Sequence, residues 1–212
     1  MYKATPIPES ATIEDPLWTA RFHDLANAMV LMSTKPKIIS RYTGLSPRQV
    51  TERYVRLTNE VASPGRMGNG HPKRFAIPHD RGGLDWTIQS AVFTNCYLEL
   101  EAAMGELVNR GWLLATTYHA YCRLTEPAFQ ETKMRRLTIN AAYDLMTHVG
   151  FGQYRKRAAL AQQQCECCGT HFLVVTEAEL DNQHCPMCAL DKNYQRLVEN
   201  SAKLREQAVQ HG

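Results

Sequence analysis

Four cysteines in the last quarter of this 212-residue chain, Cys165, Cys168, Cys185 and Cys188, follow the pattern C-x2-C-x16-C-x2-C. That spacing suits one tetrahedral Zn²⁺ held by two pairs of thiolates. Two residues between cysteines let a single tight turn aim both sulfurs at one ion, and Gly169 supplies backbone freedom for such a knuckle. The stretch from His171 to Val175 reads as a short strand, after which the chain returns at Cys185-Pro-Met-Cys188. Four thiolates fill the coordination shell, so the expected single Zn²⁺ builds structure and offers no open position for catalysis. Disulfides are the competing reading. The chain opens on no apolar signal segment and is not a short secreted scaffold, so reduced thiols and a cytoplasmic location are expected. Cys167 is a surplus thiol beside the first pair, and His171 or His184 is an alternative to one of the sulfurs. Cys96 and Cys122 fall in apolar helical surroundings and read as core residues.

Charge is distributed unevenly. Between Lys35 and Arg81 ten basic residues face three acids, a net +7, which leaves −4 for the rest of a chain whose total is +3. Such asymmetry points to a polyanionic partner at one end of the molecule. No apolar run approaches a membrane span, so no membrane partner is expected. Catalytic constellations are missing from the pattern. There is no Gly-rich phosphate loop and no acid/base carboxylate pair, and His119 and His148 sit in helical stretches without an adjacent nucleophile. The chain therefore reads as a non-enzyme.

The elements that must position these residues are mostly helical. Residues 1–16 carry Pro6, Pro8 and Pro16 without periodicity and predict an extended or mobile arm. A helical domain follows over 17–154, beginning with Phe22, Leu25, Ala26, Met29 and Val30 at helical spacing. Within it, 37–61 predicts a helix to Tyr42, a break at Thr43-Gly-Leu-Ser46, and a second helix from Pro47 to Val61. Ser46 is a favourable N-cap and Pro47 suits the first helical position. Val50, Tyr54, Leu57 and Val61 would form the buried face of that second helix. Residues 62–83, rich in Gly and Pro, predict a long basic loop, either following phosphates or lying as mobile surface chain. Three further helices are expected: from Asp85 to a stop at Gly111, from Leu113 to the neighbourhood of Pro127, and from Leu137 to Gly150. The basic triplet Arg155-Lys-Arg157 leads into a zinc-binding lobe over 155–190, and 191–212 predicts an amphipathic helix with a frayed tail.

A helix, a short glycine-containing turn and a second helix with a polar basic face have the layout of a helix-turn-helix, whose second helix enters the DNA major groove. Arg48, Gln49 and Thr51 lie at its N-terminal end, where side chains reach base edges. Arg and Gln suit bidentate contacts with guanine and adenine. Arg41, Arg53, Arg56, Lys73 and Arg74 complete the candidate DNA-binding set. A plain helical hairpin with a solvated basic face is the alternative for this segment.

The order of these parts resembles the FlhC family, the zinc-containing subunit of FlhDC-type master transcriptional activators and its relatives on conjugative elements. Three stretches carry the likeness: Gly44-Leu-Ser-Pro-Arg-Gln-Val-Thr-Glu-Arg-Tyr54; Phe93-Thr-Asn-Cys-Tyr97 with Tyr118-His-Ala-Tyr-Cys-Arg-Leu124; and Cys165-Glu-Cys-Cys-Gly169 through Cys185-Pro-Met-Cys188. It covers residues 20–190, and the cysteine segment is its most specific part. The resemblance implies a mainly α fold with a helix-turn-helix-like N-terminal part and a small zinc-ribbon-like lobe built on the four cysteines. It also implies assembly with a small helical FlhD-like subunit on double-stranded promoter DNA and recruitment of RNA polymerase. The longer arm, the extended segment between Val149 and Cys165 and the Gly-rich basic 62–83 segment depart from typical flagellar members, so the resemblance implies either flagellar or conjugative-transfer genes as targets. A zinc-stabilised adaptor that binds protein and not DNA is the second functional expectation.

Overall fold

The computed structural model describes residues 5–62, 71–77, 83–105, 107–132, 135–150, 158–176, 185–189 and 191. The Arg155–Arg157 triplet, His184, the helix expected after the second cysteine pair, and parts of the 62–83 segment (63–70 and 78–82) lie outside the described residues. The fold is mainly α. Among the described residues seven helices, α1 (Pro16–Leu31), α2 (Pro36–Thr43), α3 (Pro47–Thr58), α4 (Lys73–Ala76), α5 (Gly83–Met104), α6 (Arg110–Thr132) and α7 (Ile139–Val149), precede a hairpin of β1 (Leu160–Gln164) and β2 (His171–Val175). A helical turn at 186–189 follows. Among the described residues no helix is long and apolar enough to cross a membrane.

Helix α1 is the scaffold of the N-terminal half. Asp15 caps it through a 2.9 Å bond accepted from the Leu17 N–H, and Phe22, Leu25, Ala26, Met29 and Val30 form its buried stripe. Both α2 and α3 pack on it. The connection into α2 is held from across the fold. Asn140 of α7 accepts from the Lys35 N–H at 2.9 Å and donates to the Ser33 carbonyl at 3.0 Å. Gly44, at φ +71°, terminates α2 in the left-handed conformation that glycine adopts without strain. Ser46 and Gln49 then form a reciprocal capping box that starts α3. Asn59, also left-handed, stops α3 at Thr58, three residues short of the expected end. Val61 consequently leaves the helical period and is 78% exposed, and Leu57 is 37% exposed. Only Val50 and Tyr54 remain as the buried face of α3.

The arm is extended but not loose from residue 5 onward. Ile7 is fully buried, Pro8 bridges Val108, and the Ile7 carbonyl accepts from the Asn109 N–H at 2.7 Å. Burying such a side chain contributes about 1.5–3 kcal/mol, enough to fix a segment without periodicity of its own. Asn109 also caps α6, accepting from the N–H groups of Gly111 and Trp112 at 2.9 and 3.1 Å. Helix α6 therefore starts at Arg110, not Leu113, and Gly111 is part of its first turn. The stop before it is Gly105, at φ +87°. Gly111 has a packing reason instead, because α6 crosses α2 at Tyr42. A Cβ there would lie 2.6 Å from Tyr42 Cγ and closer still to its Cβ.

Pro127 does not end α6, which runs on to Thr132. Proline removes one backbone bond from a helix interior. Here Arg136 braces both sides of the lesion. It donates to the Cys122 carbonyl at 3.3 Å and to the Glu126 carboxylate at 2.6 Å, and its guanidinium lies 4.5 Å from the Phe129 ring centre. Inside the bundle, the Tyr121 hydroxyl donates to Gln89 at 2.6 Å and accepts from the Leu137 N–H at 3.0 Å, tying α5 and α6 to the segment before α7. The 62–83 segment is likewise more than a loop. It contains α4, whose Phe75 is fully buried against Trp86 and His148.

The hairpin is antiparallel, with Leu160 opposite Val175 and Gln164 opposite His171. Strand β2 is buried on both faces. Leu173 and Val175 join the main helical core, while Phe172 and Val174 form a second small cluster with Ala91 of α5 and Cys185.

Replacing Gly111 by Ala tests the α2–α6 crossing. In an ordinary helix interior that change stabilises by about 1 kcal/mol. Here overpacking against Tyr42 is expected to lower unfolding stability by about 1–3 kcal/mol, as read by urea denaturation. A stabilised variant would mean that the two helices do not approach this closely.

Candidate metal centre and nucleic-acid interface

The two knuckles that carry the cysteines are built by local hydrogen bonding. The Gly169 N–H donates to the Cys165 carbonyl and the Cys165 N–H to the Thr170 carbonyl, each at 2.9 Å, with Gly169 at φ +72°. The Ala189 N–H donates to the Cys185 carbonyl at 3.0 Å and opens the helical turn that presents Cys188. The four Sγ atoms lie within 4.8 Å of one another, and Cys165–Cys188 and Cys168–Cys185 are each separated by 3.7 Å. A disulfide requires about 2.05 Å. A tetrahedral ion with metal–sulfur distances of about 2.3 Å has sulfur–sulfur edges of about 3.8 Å. The donor set and its dimensions fit a metal ion, and the cysteines brought together are the four read from the spacing. Cys167 is exposed on the first knuckle and His171 is exposed at the start of β2; neither belongs to the cluster.

The cysteines differ in their surroundings. Hydrogen bonding from the Thr170 side chain and backbone holds the Cys168 thiol down at about 6. Burial against Ala91, Phe172 and Val174 pushes Cys185 up, and hydrogen bonds with Cys168 and Cys165 push Cys188 up. The thiolate form is thus favoured at Cys168 and disfavoured at Cys185 and Cys188. A divalent cation reverses that balance by displacing the remaining protons, which couples metal affinity to pH.

The candidate DNA-binding residues separate into two groups. Helix α3 exposes Arg48, Gln49, Thr51 and Arg56 and half-exposes Arg53. Arg48 Nε pairs with Glu52 Oε1 at 2.9 Å. Gln49 is committed to the cap, its side-chain oxygen accepting from the Ser46 N–H and hydroxyl at 2.8 Å each. Bidentate reading of adenine needs that oxygen as well as the amide donor, so Gln49 offers only its NH₂ while the cap stands. The Thr51 hydroxyl donates to the Pro47 carbonyl at 3.0 Å. Arg53 reaches Asn27 of α1 at 2.8 Å, and burial with the nearby Arg56 lowers its pKa. It braces α3 as much as it projects from it. Gln49, Glu52, Arg53 and Arg56 line a shallow open groove along this face.

Arg41, Lys73 and Arg74 lie off α3. Arg41 is exposed on α2 and donates to the Tyr143 hydroxyl at 3.1 Å, while Lys73 is exposed at the start of α4. Arg74 turns inward. Its guanidinium lies 4.5 and 5.1 Å from the ring centres of Phe75 and Trp86 and pairs with Asp144 at 3.3 Å. Burial lifts the Asp144 carboxyl to about 6 against the opposing pull of Arg74 and Lys35. A guanidinium held this way anchors α4 and is withdrawn from the DNA-binding set. Glu52, outside the candidate DNA-binding set, is the partner of Arg48, and an Arg and a Glu four apart on one helix carry the signal for that pair.

Metal analysis is expected to find one thiolate-bound ion per chain. Cobalt substitution should give the intense visible spectrum of a tetrahedral thiolate site. Cys168→Ser and Cys185→Ser should abolish it and Cys167→Ser should leave it intact. Because protons compete for the thiolates, the ion should be released as the pH falls; retention that does not change with pH would contradict four-sulfur ligation.

The chain matches no protein-family model and has no significant similarity to any curated protein, which leaves its function to be read from these two sites.

Proposed function

We propose that this chain is a DNA-binding transcriptional activator subunit without enzymatic activity, acting in the cytoplasm, with one structural Zn²⁺ in the four-cysteine centre. The observation that carries the reading is helix α3. It follows a three-residue turn from α2, rests on α1 through Val50 and Tyr54, and turns Arg48, Glu52 and Arg56 outward. A helix whose outer face carries exposed cations suits entry into a major groove, and the surrounding charge excess supplies attraction to phosphates. Arg41 on α2 and Lys73 on α4 are the further candidates for backbone contacts.

The likeness to the FlhC family extends the proposal to an FlhD-like helical partner, RNA polymerase recruitment, and promoters of flagellar or conjugative-transfer genes. Zinc is the choice of metal because a closed set of four thiolates with tetrahedral dimensions is its usual structural site. A second reading, a protein-binding adaptor, draws on Val55 and Leu57, which α3 also exposes, and on Val61 beyond it.

Binding of the full chain to duplex DNA from upstream of its own gene, with and without the neighbouring gene product, separates the two across a salt series. Each phosphate contact should add about 0.9 to the slope of log affinity against log salt. Arg48→Ala and Arg56→Ala should each weaken binding about tenfold, in line with ~1–3 kcal/mol per good contact. Arg74→Ala should lower thermal stability and leave the salt slope alone. An interaction that is insensitive to salt and to both α3 arginines would favour the adaptor.

A further inference from the structure

This inference rests on the duplex-binding reading of α3 and concerns how that helix tells one sequence from another. Val50 and Tyr54 define the attached side of α3. At about 100° per residue, the point farthest from the body falls at Glu52, with Arg48 and Arg56 on its flanks. Glu52 is 62% exposed and Arg48 is 90% exposed. A carboxylate at the apex of a helix facing a polyanion opposes binding to every sequence alike.

Helix stability does not account for its presence there. An exposed i,i+4 ion pair contributes about 0.3–0.5 kcal/mol at best, and the basic-then-acidic order found here is the weaker one against the helix dipole. Nor do neighbouring side chains replace it as readers. The Gln49 oxygen is held by the cap, the Thr51 hydroxyl by the Pro47 carbonyl, and Arg53 by Asn27. The pair itself is oriented in a useful way. Glu52 engages Arg48 through Nε, which leaves the outer nitrogens of the guanidinium free for a bidentate approach to guanine O6 and N7. The second carboxylate oxygen remains to accept from the N4 amine of a cytosine.

We propose that Glu52 is a specificity-determining residue. It steers Arg48 onto a guanine and itself accepts from a neighbouring cytosine, so the site read by α3 contains a guanine and a cytosine at adjacent contacts.

The test is selection of duplexes from a randomised pool by the full chain, assembled with its neighbouring gene product if that is needed for binding. Wild type, Glu52→Gln, Glu52→Ala and Arg48→Lys are compared. The wild type should enrich a motif containing that guanine and cytosine. Both Glu52 variants should lose about tenfold in discrimination at the cytosine while binding random duplex more tightly, because a negative charge has gone. Arg48→Lys should keep the salt dependence and lose the guanine preference, because lysine has no fork. Unaltered melting temperatures would show the fold intact. An unchanged motif in the Glu52 variants, or equal weakening on all sequences, overturns the assignment while leaving DNA binding in place. A wild-type protein that binds no duplex under any condition overturns both.

Discussion

Burial of β2 on both faces is the constraint that binds the two halves of this protein together. Successive side chains of a strand point to opposite sides. Leu173 and Val175 therefore enter the helical core while Phe172 and Val174 meet Cys185 and Ala91. A two-stranded hairpin alone is marginal in water. This one gains a hydrophobic floor from the helices and a roof from the cysteine knuckles. Asn95 of α5 adds polar ties, donating to the His171 carbonyl at 3.4 Å and accepting from Gln162. The four-cysteine cluster is consequently part of the body's packing and not a bead on a tether.

Helix α3 packs on both α1 and α2. Its two buried residues, the Tyr54 hydroxyl on the Thr34 carbonyl and the Arg53–Asn27 bond are what fix its direction on α1. The capping box and the left-handed Gly44 set where the helix begins, and Asn140 holds the preceding α1–α2 turn from α7. Local chemistry thus determines the bounds of α3, and a few long-range bonds determine its attitude.

Much of this was legible in the sequence. Periodic apolar residues mark the stripe of α1, Ser46-Pro47 marks the start of α3, and cysteine spacing picks out the four that cluster. Each of those signals is local. What escaped depends on partners distant in sequence. Ile7 orders the arm through Val108 and Asn109, and Gly111 serves Tyr42 instead of ending a helix. Pro127 sits inside α6, where Arg136 braces the nearby Cys122, Glu126 and Phe129 from beyond the helix end. Arg74 reads as one more surface cation until Phe75, Trp86 and Asp144 surround it. Val61 reads as part of a buried face only when the period is extended past Asn59, whose left-handed conformation ends it, while Leu57 lies within α3 at the edge of its buried stripe.

Docking Cys185 against Ala91 has a kinetic consequence. Pairing β1 with β2 joins near neighbours and resembles the microsecond closure of any hairpin, whereas bringing that hairpin to α5 must span all of α6 and α7. Contacts so remote in sequence dominate contact order and slow the search for the native state. Cys165 and Cys168 sit in the turn of the hairpin, so the step that seats the hairpin beside Cys185 also gathers the four sulfurs.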